Sequence, residues 1–396
     1  MSAPGGSSGV PSSCASGCRE PRCDRRPPAA VAQRGCPHEI AMTSKATNAG
    51  PCLDDWSIHD DLVRLREWGS DTVYDLSAAQ PEWLVGSSAA CALRLTDASA
   101  RLSRRHARLV WTQGRWTIHD LGSKNGLRID GARCEACVLE PGVEVGLGGI
   151  TLIAESPRSI ALRGYLARLL GFSLGQLPAI DRALRALRLA SAHRSALLLC
   201  GPEDLVPVAR GLHQRALGPD RPFVTCDPRR RPSAGDARVA ANVDRAVPAA
   251  RAAAGGSLCV RGERLPPDFA EAIDLLRRTD ALVQIIVCTR RPARSDLYVP
   301  AAIAVPPVAR RRRELGRIIT EYAGDALAAL GAPADSFSPR DRDWVRRRAA
   351  RSLAEIEKAT LRLIAVRTTR CTSHAADRLG MSHAALAAWI ERKRLR

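Results

Sequence analysis

The chain is organised around residues 83–126, whose sequence is WLVGSSAACALRLTDASARLSRRHARLVWTQGRWTIHDLGSKNG. Apolar side chains recur at every second position in two runs on either side of the turn Gln113-Gly114. The alternating residues are Ala107, Leu109 and Trp111 in the first run and Trp116 and Ile118 in the second. This period of two predicts antiparallel strands that bury one face.

Similar segments lie on both sides of this stretch. Residues 72–76 are strand-like before it, residues 82–85 are strand-like at its start, and residues 127–129 follow it. The dipeptide Asp130-Gly131 comes next and accepts the positive φ angles of a two-residue hairpin. Many short strands at close spacing predict a β-sandwich whose loops gather at one end.

Two motifs in the loops carry a family resemblance. They are Ser103-Arg104-Arg105-His106 and Gly122-Ser123-Lys124-Asn125-Gly126, preceded by Gly86 and followed by Asp130-Gly131. Their order resembles the forkhead-associated (FHA) family over residues 72–156. The resemblance implies an all-β sandwich that binds phosphothreonine in a partner protein, such as a Ser/Thr kinase or its substrate.

The resemblance also implies the site residues. Those expected at the phosphopeptide are Ser87, Ser103, Arg104, Ser123, Lys124 and Asn125, and those expected to support the loops are Gly86, His106 and Gly126. The side chains of Ser103, Arg104 and Lys124 would face the phosphate, and Asn125 would bond the peptide main chain. A hydroxyl, a guanidinium and an ammonium are the donors that a phosphate dianion needs.

One position departs from the family pattern. The family normally has an arginine after the first glycine, but Ser87 follows Gly86 here. A charge-assisted hydrogen bond contributes about 1.5–3 kcal/mol, so its loss weakens binding by about one to two orders of magnitude. Arg94 or Arg101 could reach the phosphate instead. The alternative is a module kept for packing or for an unphosphorylated partner.

Charge is spread unevenly along the 396 residues, which carry a formal net charge of +19. Residues 157–337 have 28 basic and 17 acidic side chains, and residues 338–396 have 15 and 6, whereas the chain before them is balanced. A basic C-terminal part favours a nucleic-acid partner. Lysine is rare beside arginine, however, and this bias also follows from a GC-rich genome.

The N-terminal residues 1–55 are rich in Ser, Pro, Gly and Ala and have no periodicity, which predicts disorder. Their cysteines and His38 match no zinc spacing, so we predict no metal site. Translation could begin at Met42. The chain lacks an apolar run of membrane-spanning length and a signal-peptide core, so we expect a cytoplasmic protein with reduced cysteines and no membrane contact.

Residues 160–330 alternate helical runs with short apolar strands, which predicts a parallel α/β sheet. The predicted strands are 196–200, 222–224, 257–260 and 282–289. The succession resembles the AAA+ ATPase domain of sigma-54-dependent regulators in shortened form. The matching segments are Arg210-Gly211-Leu212-His213, Pro222-Phe223-Val224, Gly255-Gly256-Ser257-Leu258 and Pro306-Pro307.

The residues that ATP chemistry needs are missing. The loop after residue 200 is Gly201-Pro202-Glu203-Asp204-Leu205, which has no lysine and carries two acids that repel a nucleotide. Arg261 follows the third strand, where the family has acids for magnesium. We therefore predict a degenerate scaffold or oligomerisation domain with no cofactor and no enzymatic activity. The run 310–313, four arginines, is expected to be a solvated helix face.

Residues 338–396 predict an all-α domain. Ser338-Pro339 opens a helix-like run from Trp344 to Lys358 and beyond, and two short helices follow around Gly380, where the turn needs a positive φ. The residues expected to pack between these helices are Ala375, Ala376, Leu379, Leu386 and Ile390. The pattern resembles the Fis-type helix-turn-helix that ends the same regulators.

The second helix of this pair would enter DNA. The residues expected near DNA are Ser382 and His383 at its start, with Arg370, Arg392, Lys393, Arg394 and Arg396 at phosphates. Because the helix is rich in alanine, sequence selectivity should be modest. Together the modules predict a bacterial transcriptional regulator that joins a phosphothreonine signal to DNA and forms homo-oligomers. The alternative is an interaction adaptor whose helix-turn-helix serves dimerisation.

Overall fold

The structure is a computed structural model that describes residues 61–193, 195–234, 240–279, 282–290 and 302–395. The predicted disordered leader, its cysteines, His38 and the alternative start at Met42 lie outside these residues, as does Arg396. Among the described helices, none has the length and apolar character needed to cross a bilayer.

Short strands form the first part of the structure. They are β1 (Arg64–Glu67), β2 (Val73–Asp75), β3 (Glu82–Gly86), β4 (Leu93–Arg94), β5 (Ala107–Thr112), β6 (Arg115–Asp120), β7 (Leu127–Ile129), β8 (Ala132–Cys134), β9 (Ala136–Val138), β10 (Glu144–Leu147) and β11 (Ile150–Glu155). They make two sheets, in the orders β2-β1-β11-β10-β7-β8 and β4-β3-β5-β6-β9. Leu109, Trp116 and Ile118 are buried between the sheets. The predicted sandwich is confirmed.

The sandwich begins earlier than residue 72, the predicted boundary. Strand β1 pairs with both β2 and β11 and so lies inside the first sheet. The sequence pattern hides this strand because Arg66 interrupts its apolar alternation, yet Arg66 is fully buried. A buried guanidinium needs partners, and here they are Glu155 at 2.7 Å and Asp181 at 2.6 Å.

Two tight turns connect neighbouring strands. Gln113 and Gly114, between β5 and β6, have φ angles of 53° and 75°. Asp130 and Gly131, between β7 and β8, have φ angles of 51° and 87°. Both pairs match the mirror-image turn that suits the right-handed twist of the strands, and the hairpin predicted at Asp130-Gly131 is present.

An α/β region follows the sandwich. Its elements are α1 (Pro157–Leu170), α2 (Leu177–Ala192), β12 (Leu197–Cys200), α3 (Val206–Leu217), β13 (Phe223–Cys226), β14 (Ala241–Val243), α4 (Ala246–Ala252), β15 (Ser257–Arg261), α5 (Phe269–Arg278), β16 (Gln284–Thr289) and β17 (Ala302–Ala304). The strands form one parallel sheet in the order β14-β13-β15-β16-β12-β17. All four predicted strands are present, and β14 and β17 are additional.

Helices complete the described chain. They are α6 (Leu315–Leu330), α7 (Pro339–Arg348), α8 (Leu353–Arg367), α9 (Thr372–Leu379) and α10 (His383–Lys393). The continuous helix predicted from Trp344 to Lys358 is wrong, because the helical backbone is interrupted after Arg348 and a second helix begins at Leu353. The Ser352 side chain accepts a hydrogen bond from the Glu355 backbone N–H and caps α8, which begins a new helix there.

The run of four arginines at 310–313 is only partly the solvated face that the sequence predicts. Arg311 is buried, and its Nη1 donates to the carbonyl oxygens of Arg168 and Leu169 at the end of α1. Its Nε donates to Glu314 at 2.8 Å. Arg311 therefore satisfies the free carbonyls of a helix end, whereas its neighbours Arg310, Arg312 and Arg313 are exposed.

Candidate functional site

The motif loops meet at one end of the sandwich, and Gly86 allows their close approach. A Cβ atom at Gly86 would lie 2.3 Å from the carbonyl oxygen of Arg104, so no other residue fits without moving backbone. Just beyond it, the Ser87 N–H donates to the Ser103 carbonyl at 3.2 Å. The end of β3 is therefore fastened to the loop between β4 and β5.

His106 joins this loop to the one between β6 and β7. The ring is fully buried; its Nδ1 accepts from the Ser103 backbone N–H at 3.2 Å, and its Nε2 lies 3.3 Å from the Gly126 carbonyl oxygen. Because Nδ1 accepts, the neutral ring carries its proton on Nε2 and donates it to Gly126. One side chain thus holds both motif loops in register, and it does not reach the surface.

Ser103 and Lys124 lie side by side at the loop tips. The Lys124 backbone N–H donates to the Ser103 Oγ at 3.0 Å, which leaves the hydroxyl proton available to a ligand. The side chains of Arg104 and Lys124 are exposed. A hydroxyl donor between two exposed cations is an arrangement suited to a phosphate dianion.

Ser123 has a different role from the predicted one. Its side chain is buried and its Oγ donates to Asp120 Oδ1 at 2.6 Å, while its N–H donates to Oδ2 of the same carboxylate. Gly122 donates to Asp120 as well. Ser123 therefore shapes the loop and does not face a ligand, because its hydroxyl proton is already committed inside the protein.

Asn125 crosses from the second loop to the first. Its Nδ2 donates to the Arg101 carbonyl at 2.6 Å. This contact orients the amide and leaves its oxygen as the group available to accept a hydrogen bond from a peptide main chain. The amide nitrogen thereby joins the two loops.

Asp97 is a site-building residue that the sequence analysis missed. Its carboxylate accepts from the Ser99 hydroxyl at 2.6 Å and from the backbone N–H groups of Ser99, Arg101 and Gly149. These hydrogen bonds, the Ser99 hydroxyl first, hold the pKa of the Asp97 carboxyl well below its usual range. The Asp-x-Ser spacing, typical of a side-chain-closed turn, was the available signal.

Two arginines stand near the place of the missing family arginine. Arg94 is exposed and lies opposite Gly86 in the β3–β4 pair. Gly86 is the residue directly before Ser87. Arg101 is also exposed, and its Nε donates to Ser99 Oγ at 3.1 Å. Arg94 thus belongs to the strand that pairs with Gly86, whereas Arg101 is held by its own loop.

The acidic side chains of the loop after β12 bind other groups of the protein. Glu203 Oε1 accepts from the Val308 N–H at 2.9 Å, and Oε2 accepts from the Leu353 N–H at 3.0 Å. Asp204 pairs with Arg261 at 2.9 Å. The acids that were expected to repel a nucleotide are therefore engaged in internal contacts at the carboxyl edge of the sheet, where ligands of parallel α/β sheets bind.

The last two helices form a tight pair. Gly380 ends α9 with a φ of 61°, and the Ser382 Oγ accepts from the Ala385 N–H at 3.2 Å, which caps α10. Of the residues expected to pack between helices, Ala375, Ala376, Leu379 and Leu386 are buried and Ile390 is half-buried. His383 is exposed at the start of α10.

The predicted phosphate contacts separate into two groups. Arg370, Arg392 and Arg394 are exposed, as expected for residues that meet DNA. Lys393 does not fit its predicted role, because its Nζ is bound to Glu355 at 2.5 Å and to the Arg348 carbonyl at 2.8 Å. This ammonium ties α10 to α7 and α8.

The sandwich is similar to known proteins in sequence and in structure. Residues 83–148 match the family model of the FHA domain. Similar solved structures include one from an analysis of phosphothreonine-dependent FHA domain interactions (27% identity, covering 23% of this chain and 93% of that chain, TM-score 0.22). Another is Mycobacterium tuberculosis EmbR in complex with a low affinity phosphopeptide, with 25% identity over 26% of this chain and 27% of that chain and a TM-score of 0.23. A third is an FHA domain from Chlamydia trachomatis, with 24% identity over 24% of this chain and 95% of that chain and a TM-score of 0.22. No curated protein matches the chain. By the family-model match, residues 83–148 of this chain form an FHA domain, and the first of these structures is of an FHA domain whose interactions depend on phosphothreonine.

Proposed function

We propose that the chain is a bacterial transcriptional regulator that couples phosphothreonine-dependent partner binding to DNA binding without ATPase activity. Its FHA domain spans about residues 72–156, extended to Arg64 by β1. A degenerate AAA+-like region at 160–330 and a Fis-type helix-turn-helix within 338–396 follow it. The protein acts in the cytoplasm as a homo-oligomer.

The observation that carries this proposal is the junction of Ser103 with Lys124 beside the exposed Arg104. A phosphothreonine phosphate accepts there from the Ser103 hydroxyl and from both cations. The Asn125 Oδ1 accepts from the main chain of the peptide. Since the two loops are joined by buried contacts, this set of donors is preorganised and binding orders little of the protein.

The middle region connects rather than hydrolyses. Support comes from the loop after β12, where Glu203 is bound to two backbone N–H groups and no lysine is available. Arg261, at the end of β15, pairs with Asp204 and Asp227. A guanidinium cannot ligate magnesium, so phosphoryl transfer would lack both its cation and its phosphate-binding lysine.

At DNA, α10 enters the major groove with Ser382 and His383 at its start. Arg370, Arg392 and Arg394 bind phosphates. Because α10 presents Ala384, Ala385 and Ala388 on its exposed side, contacts to base edges are few. That alanine surface also favours the second candidate function, an adaptor whose helix pair mediates dimerisation instead of DNA binding.

Two measurements on the full chain test the proposal. Degenerate peptide libraries with a fixed phosphothreonine or a fixed threonine are compared for binding, with Ser103→Ala as the disrupted variant. Duplex DNA binding is then followed as a function of salt. We expect a preference for the phosphorylated library that the variant loses, and DNA binding that weakens as salt rises. Equal binding to both libraries contradicts the reader role, and absence of DNA binding at low salt favours the adaptor.

A further inference from the structure

Helix α7 presents arginines on the side that faces the end of α10. Arg340, Arg347 and Arg348 lie four residues before and three and four residues after Trp344, so all three share its side of the helix. Each is exposed, and none forms an ion pair with an acidic residue in the described ranges. The motifs in the sequence predict no function for these arginines.

Two contacts lock this side of α7 to α10. The ring of Trp344 meets the ring of Trp389 edge-on, with the centroids 5.9 Å apart. At the end of α7, Lys393 donates to the Arg348 carbonyl. Trp389 is buried, so the arginines are held at a fixed position beside the second helix of the pair.

Neighbouring charges increase the positive potential at this junction. Arg362 of α8 lies over the Trp389 ring at 5.4 Å, and burial together with the charge of Arg392 lowers its pKa. The acids Asp341 and Glu355 are already paired, with Arg367 and Lys393. The exposed acids of α7 and α10, Asp343 and Glu391, are fewer than the arginines.

We propose that this basic face of α7, formed by Arg340, Arg347 and Arg348, binds the phosphates of duplex DNA beside the groove that α10 enters. The inference rests on the proposed DNA-binding function and adds a second contact surface to it. Phosphate contacts supply affinity without sequence information. They therefore complement an α10 whose alanines offer few contacts to base edges.

The test is the salt dependence of duplex DNA binding by the full chain. The variant carries Arg340→Gln, Arg347→Gln and Arg348→Gln. The matched control carries Arg310→Gln, Arg312→Gln and Arg313→Gln, which removes the same charge from exposed arginines ahead of α6. Each lost phosphate contact makes the negative slope of log K against log salt shallower by about 0.9, so the slope of the α7 variant should be shallower by about 2.7.

We expect weaker binding by the α7 variant on every duplex sequence and an unchanged slope for the control. Equal losses in both triple variants would reveal a general charge effect and overturn the proposal, as would an unchanged slope in the α7 variant. If wild type ignores DNA, the proposed function fails first. Single-stranded RNA and phosphatidylserine vesicles are measured in parallel, and tighter binding to either through the same arginines contradicts the assignment to DNA. Should the triple variant lose helicity, Arg347→Gln alone must make the negative slope of log K against log salt shallower by about 0.9.

Discussion

Restoring the family arginine at position 87 is the sharpest perturbation of the phosphopeptide site. Ser87 is fastened by its N–H to the Ser103 carbonyl, so its Cα stands next to the Ser103–Lys124 junction. An arginine there adds charge-assisted hydrogen bonds to the phosphate, with a net contribution of about 1.5–3 kcal/mol. Ser87→Arg should therefore tighten binding to phosphothreonine peptides by roughly 10- to 150-fold.

Fluorescence polarisation with the paired phosphothreonine and threonine libraries measures this gain. Thr112→Arg is the matched control: it adds the same charge at the exposed far end of β5, about 16 Å along the strand from the motif loops. The gain must be confined to Ser87→Arg and to the phosphorylated peptides. Equal gains for both libraries, or for both variants, would refute the reasoning, because they would show general attraction between charges.

Other predictions concern the architecture that supports the site, each checked by urea unfolding followed by tryptophan fluorescence. His106→Ala leaves the Ser103 N–H and a carbonyl without their partner and should cost about 1–3 kcal/mol; a loss within error would contradict the bracing role. Asp181→Ala leaves the fully buried Arg66 guanidinium with Glu155 but without its second carboxylate, at a cost of about 1.5–3 kcal/mol, whereas Asp71→Ala, in an exposed pair, should cost less than about 1 kcal/mol; equal costs would show that burial is not decisive. Because the folded pKa of Asp97 is depressed, its stabilisation is present above its unfolded pKa of 3.8 and is lost as pH falls through the folded value. The stability difference between wild type and Asp97→Asn should thus be constant from neutral pH down to about 4 and shrink below it, and a difference that shrinks near neutral pH would argue against this assignment.

Local patterns predicted most of the sandwich. Two of these patterns are the alternation of apolar side chains around Leu109 and Trp116 and the turn at Asp130-Gly131. Both depend on residues that are neighbours in the chain, so both are visible in the sequence. Strand β1 was missed because the burial of Arg66 depends on Asp181, more than a hundred residues away. Strands β14 and β17 have only three residues each, and, unlike the equally short β7, they are not followed by a turn dipeptide such as Asp130-Gly131.

The residues of the candidate site were also predicted only where the signal is local in the sequence. Motif spacing brings Ser103, Lys124 and His106 into consideration, and the structure brings them together. What spacing cannot supply is which donors are already used inside the protein. Ser123 and Lys393 looked like free ligand contacts, but their partners Asp120 and Glu355 become evident only when the chain is folded.

Glu203 has a consequence for which mutations this chain tolerates. One base change converts a glutamate codon to a lysine codon, so a lysine in the loop after β12 is a single mutation away. That mutation would remove the carboxylate from the Val308 and Leu353 N–H groups, at a cost of about 1–3 kcal/mol for each group left buried without a partner. A change from glutamate to lysine is thus opposed by the two hydrogen bonds that join this loop to Val308 and to the start of α8.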